Sequence, residues 1–223
     1  MINSSGILNS VMERIVFKNS RDIALAGELY KGDSDTIIIM SHGFTGNKSE
    51  LGKFDKAAEE LNTIGYSVFK YDYAGCGESG DYRIHLSSHV DDLKNALALI
   101  KKLGYKNIGL LGLSTGGLVS LNIPDLEILT MVLWSPVTKS MDITKGYFSN
   151  KQLEELSQTG YLTVRREHST RKETLVDKQM FVDRKEVNQK LLLGQIKCPV
   201  LIIHGGNDIQ IPVQHSQVAI GYL

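Results

Sequence analysis

Ser114 is the residue whose surroundings could do chemistry. It stands in Gly112-Leu113-Ser114-Thr115-Gly116-Gly117, a G-x-S-x-G pattern at the end of the apolar run 108–111. A sharp strand-to-helix turn holds its central residue in strained φ/ψ. The flanking positions must be small so that neighbouring backbone can pass. Such a turn lifts the serine oxygen out of the sheet and aims the following N–H groups at whatever that oxygen attacks. The chemistry would be nucleophilic attack at a carbonyl. The same letters also fit a glycine-rich turn with an incidental serine. Other reactive side chains follow short apolar runs: His42-Gly43-Phe44, Asp72 with its trailing glycines, and Asp208 in His204-Gly205-Gly206-Asn207-Asp208.

Two constellations point to other chemistries and are set aside. Gly75, Gly77 and Gly80 spell G-x-G-x-x-G, a dinucleotide fingerprint. Helix signals resume only near Ser88, where S-x-x-D with Asp91 reads as a capping box, so no helix N-terminus opens inside the glycines. Lys101 and Lys102 stand where an acidic residue should close the next strand. A tight loop packed beside another site fits better. His85 and His89, four apart near Asp92, could be drawn as a metal site. No third ligand is indicated, and both read as polar residues leading into a helix, upstream of its cap.

The elements that must position these residues alternate between strand and helix. Residues 14–18 and 23–31 read as an antiparallel hairpin. Thr36 to Met40 is a continuous β-branched run, the mark of a strand covered on both faces. A helix is expected from about Ser49 to Ile64, with Leu51, Phe54, Ala57, Ala58, Leu61 and Ile64 on one side and Gly65 just past its end. Residues 66–71 form the next strand. Val90, Leu93, Leu97, Ile100 and Leu103 trace a helix face that Gly104 ends. Leu129 to Trp134 and Pro199 to Ile203 are further buried strands. Between them, about 137–190, charges cluster and strand-type runs vanish. A helix at 151–156 and a small hairpin of 160–164 with 173–176 are expected there. An excursion that long reads as an inserted cap. The division is thus a core of 12–136 and 191–223 with a cap of 137–190.

Composition excludes several classes of partner. Among 223 residues, 42% are hydrophobic and 22% charged, the balance of a globular α/β protein. Lys+Arg and Asp+Glu stand at 25 each, so no nucleic acid or anionic membrane is indicated. Cys76 and Cys198 make no metal-type spacing and suit a reduced, cytoplasmic protein. No metal or cofactor is implied. The first twelve residues lack the basic start and apolar core of a signal peptide, and either Met1 or Met12 would serve as the start.

At this point the chain resembles the α/β-hydrolase superfamily over nearly its whole length. The resemblance is carried by H-G-F at 42–44, D-x-x-G-x-G-x-S at 72–79, G-x-S-x-G at 112–116 and H-G-x-x-D at 204–208, in that order and each at a strand end. Within it, the wording is most similar to small cinnamoyl-esterase and monoacylglycerol-lipase-like serine esterases. The fold implied is a doubly wound, mostly parallel sheet with ligands at the carboxyl ends of its strands. Ser114 would be the nucleophile and Asp208 the triad acid, with the N–H groups of Thr115 and Phe44 forming the oxyanion hole. Asp72 and its glycine loop would brace the oxyanion loop. The substrate would be a small-molecule ester with a small or medium apolar acyl group.

The resemblance also implies a base histidine roughly 25–30 residues beyond the acid, on the loop after the last strand. Only fifteen residues follow Asp208, so the last strand, the last helix and that loop are expected to be missing. His215 reads as part of a helix start, and His42 and His204 as structural. The helix after Ser114 is short, reaching Pro124 early. Two function classes stay open: a serine ester hydrolase, and a catalytically inactive hydrolase-fold protein that binds through the same cleft. A reductase and a peptidase of this fold are lesser alternatives. The strand at 199–203 would become a hydrophobic sheet edge, which predicts a homodimer through that edge.

Overall fold

The computed structural model describes residues 12–123, 127–167 and 169–223. Strands β1 (Met12–Lys18) and β2 (Ala24–Tyr30) form the expected hairpin, registered so that Ile15 faces Gly27. Then come β3 (Thr36–Ser41), α1 (Lys53–Thr63), β4 (Ser67–Tyr71), the two-residue β5 (Arg83–Ile84), α2 (Leu86–Lys102) and β6 (Asn107–Leu113). After the Ser114 turn follow α3 (Thr115–Leu121) and β7 (Ile128–Trp134). The excursion holds α4 (Asn150–Thr159), β8 (Tyr161–Arg165), β9 (Glu173–Asp177) and α5 (Lys178–Lys185). The chain continues through α6 (Gln189–Gly194), β10 (Val200–Ile203) and α7 (Gln214–Ala219).

Seven strands lie in the order β1-β2-β4-β3-β6-β7-β10. The first three pair antiparallel and β4-β3-β6-β7-β10 run parallel, so the carboxyl ends of the parallel strands share one edge. Period-two alternation splits β3 between the two faces. Ile37 and Ile39 enter a core with Leu93, Ile100 and Leu118, while Met40 packs with Phe54 and Ala58 of α1. On β10, Val200 and Ile202 turn to the first core, whereas Leu201 and Ile203 are 56% and 47% exposed. Among the described residues β10 is the edge of the sheet.

Two elements depart from expectation at their starts. Helix α1 begins at Lys53, not Ser49, because Glu50, Leu51 and Gly52 hold left-handed φ of 48°, 58° and 82°. Leu51 and Ile64, expected on the buried face, are 86% and 70% exposed. The Ser88–Asp91 capping box is also corrected. His85 is the N-cap of α2, its Nδ1 accepting the Ser88 N–H while Ser88 Oγ accepts the His85 N–H. Asp91 is spent on Ser20 and Arg21 instead. His89 therefore lies inside α2, fully buried, with its ring stacked on Tyr73 at 4.1 Å.

In the excursion, β8 and β9 form the expected hairpin, and the short β5 joins it as a third strand parallel to β9. Helices α5 and α6 had no counterpart in the sequence reading. Pro124 lies outside the described residues; α3 spans seven residues.

Candidate active site

Strand β6 delivers Ser114 at φ 53° and ψ −113°, a left-handed conformation costly for a residue with a side chain. The turn is pinned on both sides. The Ser114 N–H donates to the Trp134 carbonyl at 2.9 Å, and the Ser114 carbonyl accepts from Gly117, Leu118 and Val137 at 3.1, 3.3 and 3.2 Å. The glycines are required by close backbone. A Cβ on Gly112 would lie 2.5 Å from the Gly116 oxygen, and one on Gly116 would lie 2.0 Å from the Ser41 oxygen. Among the described residues, nothing hydrogen-bonds to Ser114 Oγ.

The loop after β3 lies against this turn, for a Cβ on Gly43 would sit 3.6 Å from Ser114 Cβ. The Gly43 N–H donates to the Glu50 carboxylate, and the Gly46 N–H to the Gly43 carbonyl at 3.1 Å. Among the described residues, the Phe44 and Thr115 N–H groups meet no protein acceptor. Asp72 anchors the loop. Its Oδ1 accepts the Lys48 N–H at 2.6 Å, and its Oδ2 accepts Lys48 Nζ and the Glu78 N–H, both at 2.9 Å. Gly77 is glycine because a Cβ there would meet the Asp72 carboxylate at 2.2 Å.

Asp208 lies on the loop after β10. Its Oδ1 accepts the N–H groups of Gln210 and Ile211 at 2.9 Å, and its Oδ2 lies 3.7 Å from His204 Nε2. Burial works to raise its carboxyl. The Ile211 and Gln210 N–H groups, the Ser135 hydroxyl and His204 outweigh it and hold the group below its ordinary value.

The five described histidines are occupied elsewhere or sealed off. His204 donates from Nε2 to the Ile211 carbonyl at 2.8 Å and accepts the Ser216 hydroxyl at Nδ1. His42 donates to the Gly43 carbonyl and accepts the Tyr73 N–H. His85 caps α2, and both ring nitrogens of His89 are buried without a partner. His215 accepts the Thr138 and Lys139 N–H groups at Nδ1, each at 3.2 Å. None of the five hydrogen-bonds to Ser114. His168 lies outside the described residues. Among the described residues, no group of His, Cys, Asp and Glu could hold a metal ion.

The excursion supplies three residues that the sequence reading missed. Arg166 donates to Thr45 Oγ1 at 2.9 Å and to the Phe44 carbonyl at 3.3 Å. Arg184 Nη1 donates to Thr115 Oγ1 at 3.1 Å. Phe148 bridges the rings of Phe44 and Phe181 at 6.5 and 5.6 Å. This aromatic row leads toward a cavity of about 500 Å³ between α4 and α5, lined by Leu153, Leu156 and Phe181 among others. Helical spacing carried a usable signal for Arg184, which shares the buried face of α5 with Met180 and Phe181. No sequence signal marked Glu50 as a partner of Gly43.

Comparison with known proteins bears on the family and the fold. Residues 32–193 match the family described as "Serine aminopeptidase, S33". The chain is 29% identical over 206 residues to a protein named serine hydrolase BPHL from Mus musculus, covering 83% of this chain and 67% of that one. It is 33% identical over 100 residues to a carboxylesterase of Bacillus subtilis (strain 168), covering 42% and 37%. Its fold is shared with the α/β hydrolase GrgF from Penicillium sp. sh18, with TM-score 0.78 and 18% identity over 95% of this chain and 86% of that one. The ferulic-acid-bound Est1E from Butyrivibrio proteoclasticus gives TM-score 0.73 and 20% identity over 92% and 84%. The chain belongs to the serine aminopeptidase S33 family of α/β-fold serine hydrolases.

Proposed function

We propose that this chain cleaves carboxylic esters through an acyl-enzyme on Ser114. In that reaction Ser114 Oγ attacks the acyl carbon and gives up its proton, the bond to the alcohol oxygen breaks and the alcohol leaves carrying a proton, and water then cleaves the acyl-enzyme to the acid and restores the serine hydroxyl. The Thr115 and Phe44 N–H groups receive the developing oxyanion, each donor contributing about 3–4 kcal/mol of transition-state stabilisation. Asp208 is the acid. The observation that carries the reading is the strained φ/ψ of Ser114, with its oxygen unbonded beside two N–H groups that meet no protein acceptor. Residues 137–190 act as a cap over a core of 12–136 and 191–223. The Phe44–Phe148–Phe181 row suits a small or medium apolar acyl group.

One observation favours a second reading. Ser114 has no imidazole partner among the described residues, so a binding protein that retains the hydrolase fold accounts for the same geometry. A fluorophosphonate probe and p-nitrophenyl acetate separate the two. Labelling at Ser114 and turnover above a Ser114→Ala control support the enzyme; neither signal, from folded protein, leaves the binding reading. The family's description also names an aminopeptidase. An amide would pass through the same steps, and turnover of alanine p-nitroanilide in preference to p-nitrophenyl acetate would favour it.

Cys76 and Cys198 are both free, which suits a reducing, cytoplasmic compartment. No helix of the described residues is long and apolar enough to cross a membrane. The β10 edge pairs with a second copy of the chain.

A further inference from the structure

Arg184 is the one buried arginine among the described residues, 3% exposed, and no carboxylate lies within ion-pair distance of it. Its Nη1 donates to Thr115 Oγ1 and its Nη2 reaches the Met141 sulfur at 3.7 Å. Its Nε is buried with no partner at all. The Nε atoms of Arg21 and Arg171 are buried without a partner too, but those guanidinium groups have carboxylates. Arg21 is matched to Asp91 and Asp92, and Arg171 to Asp81. Asp183, next in sequence, is turned elsewhere and accepts the Leu86 N–H and Gln179 Nε2, and Asp142, next to Met141, pairs with Lys185. Burial lowers the guanidinium's pKa to about 10, and the nearby Tyr147 offsets only part of that.

A buried, uncompensated guanidinium is expensive, and an anion brought against it is strongly favoured. Position decides which anion. Thr115 follows the nucleophile and its N–H is the proposed oxyanion donor; Arg184 grips the side-chain hydroxyl of that same residue. It also lies one helical turn from Phe181, which ends the aromatic row from Phe44. The planar fork of an arginine suits a carboxylate better than a point charge would. Resting on the reading of Ser114 as the nucleophile, we propose that Arg184 is an anion receptor in the cleft and that the ester cleaved there carries a carboxylate. The carboxylate sits on the acyl side, as in a half-ester of a short dicarboxylic acid, or on the alcohol side, as in an acyl ester of a hydroxybenzoate.

The test measures kcat/KM in the full chain for matched pairs. Mono-p-nitrophenyl glutarate is set against p-nitrophenyl valerate for the acyl side, and 4-acetoxybenzoate against phenyl acetate for the alcohol side. The charged member of one pair is expected to win by about 10–100-fold, the range of a hydrogen bond to a charged group. In Arg184→Gln that ratio should collapse toward one, and the pair that responds locates the carboxylate. Equal losses on charged and neutral esters would make Arg184 a positioning residue for Thr115 and overturn the proposal.

Binding of glutarate to Ser114→Ala, against glutaric diamide, requires no turnover, so it reads the receptor even where the hydrolase reading fails. Preference for glutarate, weakened at least tenfold by Arg184→Lys, supports the proposal. Equal binding of acid and diamide overturns it, and this arm stands if Arg184→Gln does not fold.

Discussion

Thr138 and His215 hold each other at two points. Thr138 Oγ1 donates to the His215 carbonyl at 2.6 Å, and the Thr138 N–H donates to His215 Nδ1 at 3.2 Å. The Lys139 N–H reaches the same nitrogen at 3.2 Å. A proton on Nδ1 would face two N–H groups. Desolvation first, then the charges of Arg184, Lys139 and His204, hold the imidazole pKa down at about 4.

That depression fixes the sign of a pH effect. The unfolded chain takes up the proton near the ordinary histidine value of about 6.5, while the folded chain resists it down to about 4. The stabilisation is complete above the unfolded value and is lost as pH falls through this window. Wild type should therefore lose more melting temperature between pH 7 and pH 5 than His215→Asn does. Asp92, whose carboxyl burial raises to about 6, works in the opposite direction but is common to both proteins. Equal losses would show that His215 is not the sensitive group.

Gly116→Ala should dismantle the elbow, because its Cβ would stand 2.0 Å from the Ser41 oxygen and α3 would have to leave the end of β3. Overpacking against backbone costs about 1–3 kcal/mol or more, and labelling of Ser114 should fall with it. Gly194→Ala is the matched control. It ends α6 with open space around its Cβ position and should gain about 0.4–1 kcal/mol. Urea midpoints moving in opposite directions are the expected result; a silent Gly116→Ala would refute the close approach.

What the sequence made legible follows the range of the forces involved. The β-branched run at 36–40 and the glycines at 65, 104 and 116 answer to local rules of burial and positive φ or close approach, and the structure places them accordingly. Helix α1 starts later than its periodicity predicts because Glu50 is held by the Gly43 N–H, a contact seven residues back that no periodicity encodes. The S-x-x-D letters put His89 ahead of the helix, whereas the cap lies three residues earlier and leaves His89 inside it. Arg184 stands in the charged run 183–186, where only the phase of α5 separates a buried cation from solvated ones. Backbone geometry of the Ser114 turn is legible in its glycines; side chains reaching it from a distant segment leave a fainter mark, in helical phase at most.

Asp72→Ala should unfasten the loop after β3 from beneath. The substitution leaves the Lys48 and Glu78 N–H groups without their acceptor and strips Lys48 Nζ, 9% exposed, of one of its two carboxylates. Removing one member of a buried pair costs about 3–5 kcal/mol. Chemical denaturation should report that loss, and any esterase turnover should fall further than stability alone explains. Asp72→Asn keeps the acceptor for Lys48 N–H and should recover part of both. If Asp72→Ala proves neutral, the carboxylate does not hold the loop.

The β10 edge makes the last prediction. Leu201 and Ile203, paired to Val132 and Trp134 of β7, form an apolar face at 56% and 47% exposure, and the outer hydrogen-bonding side of β10 has no neighbouring strand among the described residues. Unpaired N–H and C=O groups beside exposed aliphatic side chains are the template on which a second strand adds. Side chains pointing to the same face as Leu201 decide whether that addition buries apolar area or charge. Wild type should sediment as a dimer whose population rises with concentration, and Leu201→Lys with Ile203→Lys should return a monomer of unchanged far-ultraviolet dichroism. Both substitutions lie on the exposed face, away from the core that Val200 and Ile202 enter, so folding should survive them. A wild type that stays monomeric at high concentration means that the edge recruits no second copy.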